Sequence, residues 1–373
     1  MKRLLAIVLV ALAFVAPARA GAPPVNAHAY VIENGANGDV LASSAEHARV
    51  PIASITKLMT VLVALEHARL SDVVTVEREA AAVGESTIHL RAGEHVTVRD
   101  LVEAALIQSA NDAADALADY VAHGDAAKFV ALMNAKARTL GLDETHFTRP
   151  DGLDAPEHFS SAHDVTLLAR IAMHRAVIRS VVRQTTATIS GGRRLHTWND
   201  LLGVFPGLIG VKTGHTGAAG WCEVAAARGH GVTIYATILG SPSRAERNAD
   251  LSSLLRWGLS RYRVTRLIAT GRTYALAETG YGRAALPLVS TTSVRRTVRV
   301  DRPLIARIVA PGAVALPVHA GQRLGSVRVY DDRGRVVAAQ PLVAARSVGR
   351  PGLAGRVGFY ARRTLRHLWG VVS

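Results

Sequence analysis

Hydrophobic and polar positions change period several times along the chain, and each change marks an element. Residues 28–42, "HAYVIENGANGDVLA", form two β-rich runs around a Gly/Asn cluster, which predicts a hairpin. In "SITKLMTVLVALEHA" (54–68) Leu58, Val61, Leu62 and Leu65 recur at helical spacing, and the leading serine suits a helix N-terminus. "TVRDLVEAALIQSANDAADALADYVA" (97–122) opens with Thr97 and Asp100 as a capping box. The polar triplet Ser109-Ala110-Asn111 interrupts it, predicting a turn between two helices. From Gly207, "GLIGVKTGHTGAAGWCEVAAARGHGVTIYATILG" predicts two or three strands with a tight connection at Arg228–Gly231. "RAERNADLSSLLRWGLSRY" then predicts a helix with Leu251, Leu254 and Leu255 facing inward. Helices between an early hairpin and late strands imply an α+β class, an antiparallel sheet packed with helices, over residues 24–263.

The texture changes twice more. Residues 264–346 are short Val-rich strands divided by Gly and Pro, the pattern of a small all-β domain. Residues 351–373 predict an amphipathic helix. At 100° per residue Val357, Tyr360, Ala361, Leu365, Leu368, Val371 and Val372 fall on one side, and Arg356, Arg362, Arg363 and Arg366 on the other. Phe359 falls on the polar side and Trp369 near the boundary. With no acidic residue and too much polarity to span a bilayer, this tail is expected to lie on an anionic membrane surface. At the other end, residues 1–20 carry a basic start, an apolar run from Leu4 to Val15 and Ala18-Arg19-Ala20, the form of a cleaved signal peptide. The apolar run is short for a spanning helix, which needs roughly 20 residues.

Charge narrows the partners. Without Lys2, Arg3 and Arg19 the formal net charge falls from +15 to +12, which favours polyanions or membrane headgroups. Nucleic acid is not expected, since an exported protein seldom meets it and only 5% of residues are aromatic, few for stacking bases. The single cysteine, Cys222, can form no internal disulfide and no cysteine metal cluster, and is expected to be a small buried hydrophobe. Lysine is scarce, occurring only at positions 2, 57, 128, 136 and 212 among 44 basic residues. Arginine stays protonated, whereas a desolvated lysine can lose its proton. A lysine at 57 is therefore expected where a base must switch.

Ser54-x-x-Lys57 alone describes a helix cap and a solvated lysine better than a catalytic pair. Ser109-Ala110-Asn111 has the S-x-N form, and Lys212-Thr213-Gly214 is K-T-G at the end of a strand. The three agree in order and context with the serine penicillin-recognising enzymes. Beyond the motifs, "GDVLASSAEHARVPIASITKLMT", "IHLRAGEHVTVRDLVEAALIQSANDAADALADYV", "FTRPDGLDAPEHFSSAHDVTLLAR" and "GVKTGHTGAAGWC" resemble blocks of the low-molecular-mass penicillin-binding proteins that are serine-type D-alanyl-D-alanine carboxypeptidases. The likeness covers roughly residues 28–262, and the β domain and tail resemble the family's accessory domain and anchor less specifically.

The resemblance implies a penicillin-binding-protein/β-lactamase-like fold, removal of the terminal D-alanine from peptidoglycan stem peptides through an acyl-enzyme, and acylation by β-lactams. The leader and tail patterns predict an exported enzyme on the outer face of the inner membrane, and no metal or organic cofactor is expected. Physically, Ser54 Oγ becomes a nucleophile when neutral Lys57, on the same helical face, takes its proton. Desolvation and a nearby cation, for which Lys212 is the candidate, are expected to depress Lys57. Ser109 and Asn111 are placed to relay a proton to the leaving amine and to hold Lys57 and the substrate amide. Lys212 and Thr213 suit a substrate carboxylate, and Gly214 is expected to let a substrate backbone lie against the strand. The family's oxyanion hole maps onto the backbone N–H groups of Ser54 and His215, leaving the His215 side chain structural or substrate-contacting. Arg247, ten residues before Trp257, resembles a family arginine near the carboxylate site, and equally reads as one of many surface arginines. Asp151 departs from the family, which often has histidine there.

Three other activities compete. A β-lactamase of class A needs a glutamate for its deacylating water, and Glu157 in "PEHFS" lacks the E-x-x-x-N context. A D,D-endopeptidase uses the same motifs but generally lacks a second domain. A catalytically silent envelope-binding protein predicts a damaged constellation, which this is not.

Overall fold

In the computed structural model of the protein, residues 7–8 and 21–369 are described. The expected leader therefore lies outside the described residues apart from Ile7–Val8, and so does the end of the tail beyond Trp369. The chain divides into two compact units, Ala20–Ser260, and Arg261–Ser373 with Met1–Arg19.

The first unit is built on a five-stranded antiparallel sheet in the order Val40–Ser44, Ala29–Asn34, Val232–Ser241, Gly220–Gly229, Leu208–Thr216. The expected hairpin pairs Tyr30 with Ser44, and the first strand also pairs Val31 with Thr237 of the late hairpin. Both faces are covered, which is why the central strands read as nearly continuous apolar runs. Val31, Val224 and Ala226 join a large core beneath the helices. On the opposite face Ile32 and Ile234 reach Gly258 of the helix Arg244–Ser260, whose Leu251, Leu254 and Leu255 are buried as expected.

The helix Lys57–His67 departs from its amphipathic pattern. Every residue from Lys57 to Ala64 is buried, because the helix is packed by neighbours all round. Leu65 is only partly covered. A helix this enclosed gives its first turn a rigid seat. The capping box is present, Thr97 Oγ1 accepting from the Asp100 N–H at 3.1 Å. Past Glu103 the helix widens into a π-helical stretch, Ala104–Gln108, and stops at Ser109, whose φ of 64° ends it in a left-handed turn. The next helix, Asn111–Ala122, starts two residues later.

The described residues of the second unit are all-β apart from the last helix. One sheet runs Ile7–Val8, Ile305–Val309, Arg323–Tyr330, Val336–Ala344, Leu286–Val289, Thr273–Ala277, and a two-stranded ribbon pairs Tyr262–Ile268 with Val294–Arg299. Its small core holds Ile268, Leu286, Leu288, Val327 and Leu342. The helix Leu353–Trp369 follows. Phe359, expected on the polar side of that helix, instead packs its ring 5.7 Å from Tyr281. Leu353, Val357, Tyr360 and Leu365 stay exposed. Among the described residues no helix is long and apolar enough to cross a membrane.

Candidate active site

The Ser54–Lys57 spacing resolves into direct contact. Ser54 does not cap the helix but lies inside a 3₁₀ turn, Ala53–Thr56, that runs straight into Lys57–His67. Residues i and i+3 eclipse in such a turn, and Lys57 Nζ lies 2.9 Å from Ser54 Oγ. The turn is held from behind. Ala53 takes a positive φ of 49°, and its carbonyl accepts from Thr56 Oγ1 at 2.8 Å. Thr56 Oγ1 in turn meets His158 Nε2 at 2.8 Å, while His158 Nδ1 accepts from the Thr148 N–H at 3.1 Å. That acceptor role leaves the proton on Nε2, so His158 is the neutral tautomer, consistent with burial lowering its pKa to about 4.

Lys57 is fully buried and its pKa is lowered to about 8, by desolvation before anything else. Asp151 and Asp115 work against that lowering, Arg149 with it. The Lys212 expectation is thus reversed, since Arg149 supplies the cation beside Lys57 and the Lys57 charge helps depress Lys212. Two further bonds aim the amine. Nζ donates to Asn111 Oδ1 at 2.6 Å and to the Asp151 carbonyl at 2.5 Å. Neither acceptor has a proton to return. A neutral amine has two N–H groups, so committing both there leaves its lone pair for the Ser54 hydroxyl. Asn111 is itself oriented by donating from Nδ2 to the Gly84 carbonyl at 3.0 Å.

Asp151 does not touch the cleft with its carboxylate. It is fully buried and takes two bonds of 2.6 Å from Arg149 and one of 3.0 Å from the Leu153 N–H. Burial opposes ionisation, but these bonds win and hold its pKa below the ordinary value. Asp115 has no such bonds, one carboxylate oxygen lacks any hydrogen-bond partner, and burial raises its pKa.

On the far side of the cleft Lys212 Nζ donates to Ser109 Oγ at 2.8 Å and to the Thr213 carbonyl at 2.9 Å. Burial first, then the Lys57 charge, takes its pKa well below that of a free lysine. A ligand carboxylate placed here would reverse that penalty. Gly214, which lines the cleft, also has a packing role. A Cβ built on it would lie 2.8 Å from the Ile52 carbonyl oxygen and 3.2 Å from Ser54 N, so it lets the strand pack against the turn that carries Ser54.

Ser54, Ser109, Asn111, Thr213, Gly214 and His215 line a cleft of about 230 Å³, and Lys57 and Lys212 contact it from behind through Ser54 and Ser109. Its outer wall was not visible in the sequence. Trp198 and Trp221 line it together with Arg244, and the exposed His215 ring stacks 4.0 Å from Trp221. Arg247 also reaches the cleft and is only 1% exposed, which excludes a surface role. Its Nε lies 3.2 Å from Glu223 Oε2, its Nη2 donates to Asn248 Oδ1 at 2.6 Å, and its Cζ sits 5.7 Å over the Trp221 ring. Burial raises Glu223 to about 7 despite the neighbouring Arg247. The only sequence signal for this wall was the choice of tryptophan and of a glutamate inside an apolar strand. Glu157 is exposed and is not among the residues lining the cleft, which removes the glutamate of the β-lactamase reading. Cys222 is buried, as expected, and burial pushes its thiol up to about 12.

Comparison with known proteins agrees with this geometry. A family model described as D-alanyl-D-alanine carboxypeptidase, peptidase S11, matches residues 16–243. The chain is 32% identical to the D-alanyl-D-alanine carboxypeptidase DacD of Salmonella typhimurium, over 91% of this chain and 90% of that one. Penicillin binding protein 5 from Haemophilus influenzae superimposes with a TM-score of 0.64 at 26% identity, covering 89% of this chain and all (100%) of that structure. The Streptomyces K15 DD-transpeptidase gives 0.61 at 32% identity, covering 65% of this chain and 100% of that structure. With that family model matched over more than half of its length and relatives above 30% identity along most of it, the chain belongs to the D-alanyl-D-alanine carboxypeptidases of the S11 serine peptidase family.

Proposed function

We propose that the protein is an exported enzyme that removes the terminal D-alanine from peptidoglycan stem pentapeptides, and that β-lactams acylate it at the same serine. The observation that carries this is the Ser54–Lys57–Asn111 contact at a cleft lined by Ser109, Thr213 and Arg247, with Lys212 bonded to Ser109 behind it. Neutral Lys57 takes the Ser54 proton as Oγ bonds to the carbonyl carbon of the penultimate D-alanine. The oxyanion is received by the backbone N–H groups of Ser54 and His215. As the C–N bond breaks, the proton that Lys57 took passes by way of Ser109, which Lys212 contacts, to the leaving amine, and Lys57 returns to its neutral form. Water then hydrolyses the ester and frees Ser54. The substrate carboxylate sits toward Lys212, Thr213 and Arg247, where a negative charge favours the protonated form of Lys212.

Residues 1–20 direct export and are removed, residues 24–263 form the catalytic domain, and 264–346 a β accessory domain. Residues 351–373 hold the enzyme to the anionic outer face of the inner membrane. The exposed Leu353, Val357, Tyr360 and Leu365 on a helix that is docked through Phe359 support that last assignment.

The test is mass spectrometry after mixing with penicillin. Wild type should gain one β-lactam mass and Ser54→Ala none, and an adduct that persists in the alanine variant overturns the assignment. Release of D-alanine from a pentapeptide monomer, set against cleavage of a cross-linked dimer, separates carboxypeptidase from endopeptidase.

A further inference from the structure

Away from the cleft, three segments bring together a second group of side chains that the reaction does not use. We propose that His47, Glu144 and His163 bind a divalent first-row transition metal, Zn²⁺ before others, which clamps the segment leading into the nucleophile turn. One donor atom from each residue lies within 4.8 Å of the other two. His47 stands in the loop seven residues before Ser54, Glu144 in the loop after the helix Ala126–Leu140, and His163 in the first turn of the helix Ala162–Ala172.

The backbone already fixes these segments to one another. The His163 N–H donates to the Glu46 carbonyl at 2.9 Å, the Glu144 N–H to Asp164 Oδ2 at 2.8 Å, and Val50 forms a β-bridge with Ser160. The site is thus held by contacts that do not depend on its own side chains.

The surroundings resemble those of metal-binding imidazoles. His163 Nδ1 lies 3.0 Å from Asp164 Oδ1, on a fully buried carboxylate that also accepts from Thr145 Oγ1 at 2.8 Å. A carboxylate on one ring nitrogen fixes the tautomer and leaves the other nitrogen's lone pair for a metal. Glu144 Oε1 lies 3.3 Å from His47 Nδ1, and its Oε2 accepts from Ser161 Oγ at 3.5 Å. The two imidazoles face one another with centroids 4.9 Å apart. Beside them Glu46 Oε2 is buried with no hydrogen-bond partner. Three carboxylates, Glu46, Glu144 and Asp164, so gather around two imidazoles in a strongly basic chain, a local field that draws a cation.

Two imidazoles and one carboxylate suit Zn²⁺ and its first-row neighbours, whereas Mg²⁺ and Ca²⁺ prefer all-oxygen sets. Bonds of about 2.0–2.2 Å require the three donors to close in from their present spacing. The His47 side chain, 57% exposed, has the freedom to do this. Three protein ligands leave a fourth position to water, and the site is structural, since none of the three lines the catalytic cleft. A bound ion restrains residues 46–50 and, through them, the approach to Ala53 and Ser54.

Chelator-stripped full-length protein titrated with ZnCl₂, with MgCl₂ in parallel, tests the proposal by calorimetry and thermal unfolding. One Zn²⁺ per chain is expected, with the unfolding midpoint raised by roughly 5 °C or more at a hundredfold excess over Kd and unmoved by Mg²⁺. His47→Ala and, separately, Glu144→Gln should each weaken Zn²⁺ binding more than about tenfold. In chelator both should unfold near the metal-free wild-type midpoint. Co²⁺ in place of Zn²⁺ should give the visible absorption of a low-coordinate nitrogen and oxygen site in wild type and lose it in both variants. Two results overturn the proposal. One is wild type that takes up no Zn²⁺ and shows no shift, in which case His47 and Glu144 form a plain ion pair. The other is binding undiminished in both variants, which places the ion on other histidines.

Discussion

If Lys57 is the base, the carboxylates behind it set the pH at which the enzyme works, and Asp151→Asn is the cleanest perturbation of them. Lowering a lysine from 10.5 to about 8 costs its charged form on the order of 3 kcal/mol, and the group is fully buried, so the figure needs no correction for exposure. The sign follows directly. The unfolded chain binds the proton more tightly between about pH 8 and 10.5, so stability rises with pH through that window, and the penalty is fully present below it. Activity follows the neutral amine. With a midpoint near 8, about one-eleventh of Lys57 is neutral at pH 7 and about ten-elevenths at pH 9, a tenfold rise in acylation rate. Asp151 opposes the lowering, so replacing it by the near-isosteric amide should move the rising limb toward acid by on the order of one unit. At pH 7 the neutral fraction then rises about fivefold. Asp115 compensates in part, because losing the Asp151 charge makes it easier to ionise, and an ionised Asp115 raises Lys57. Adding Asp115→Asn should therefore carry the limb further. Stability should fall, by less than the ~3–5 kcal/mol of a fully buried pair, since the Arg149 side chain is 34% exposed. The assay is the second-order rate of acylation by a fluorescent penicillin from about pH 6 to 10, beside urea unfolding. A limb that stays in place in both variants, or moves toward alkali, refutes the electrostatic account.

Three other outcomes are expected. Lys57→Arg should lose acylation nearly as fully as Lys57→Ala, because arginine does not deprotonate, whereas Lys212→Arg should retain more. Comparing acylation rates of the folded variants checks this, and the reverse order would mean the two roles are exchanged. Gly152→Ala should destabilise by ~3 kcal/mol or more and slow acylation at least tenfold, since φ is +82° and the new Cβ would stand 2.2 Å from the Ala53 carbonyl oxygen and 2.9 Å from Thr56 Cβ. Thermal unfolding and acylation rate read it, and a stable, active alanine variant contradicts the packing argument. Truncation after Arg350 should move the protein from membrane to soluble fractions while D-alanine release survives, and equal pelleting of both forms removes the membrane role of the tail.

The amino-acid sequence by itself determined whatever depends on neighbours along the chain. The hairpin at 29–44, the break at Ser109 and the Ser54–Lys57 contact all follow from period, capping and an i to i+3 spacing, because those forces act within one or two turns. It also marked Lys57 as special through the scarcity of lysine. The tertiary structure decided the environment that sets the contacts and protonation of these groups. Lys57 is aimed by Asn111 and by a carbonyl 94 residues away, and is tuned by Arg149 and Asp115, none of which its own segment foretells. Gly214 turned out to seat the turn that carries Ser54, and Arg247 to lie buried between Glu223 and Trp221 rather than on the surface. The helix carrying Lys57 is enclosed on every side although its pattern suggested one apolar face. Desolvation is the largest cause of the shifts on Lys57, Lys212 and His158, and it is a sum over everything packed around a group. A linear pattern records which side chains are present and how they are spaced, but the exclusion of water exists only once distant segments have closed over them.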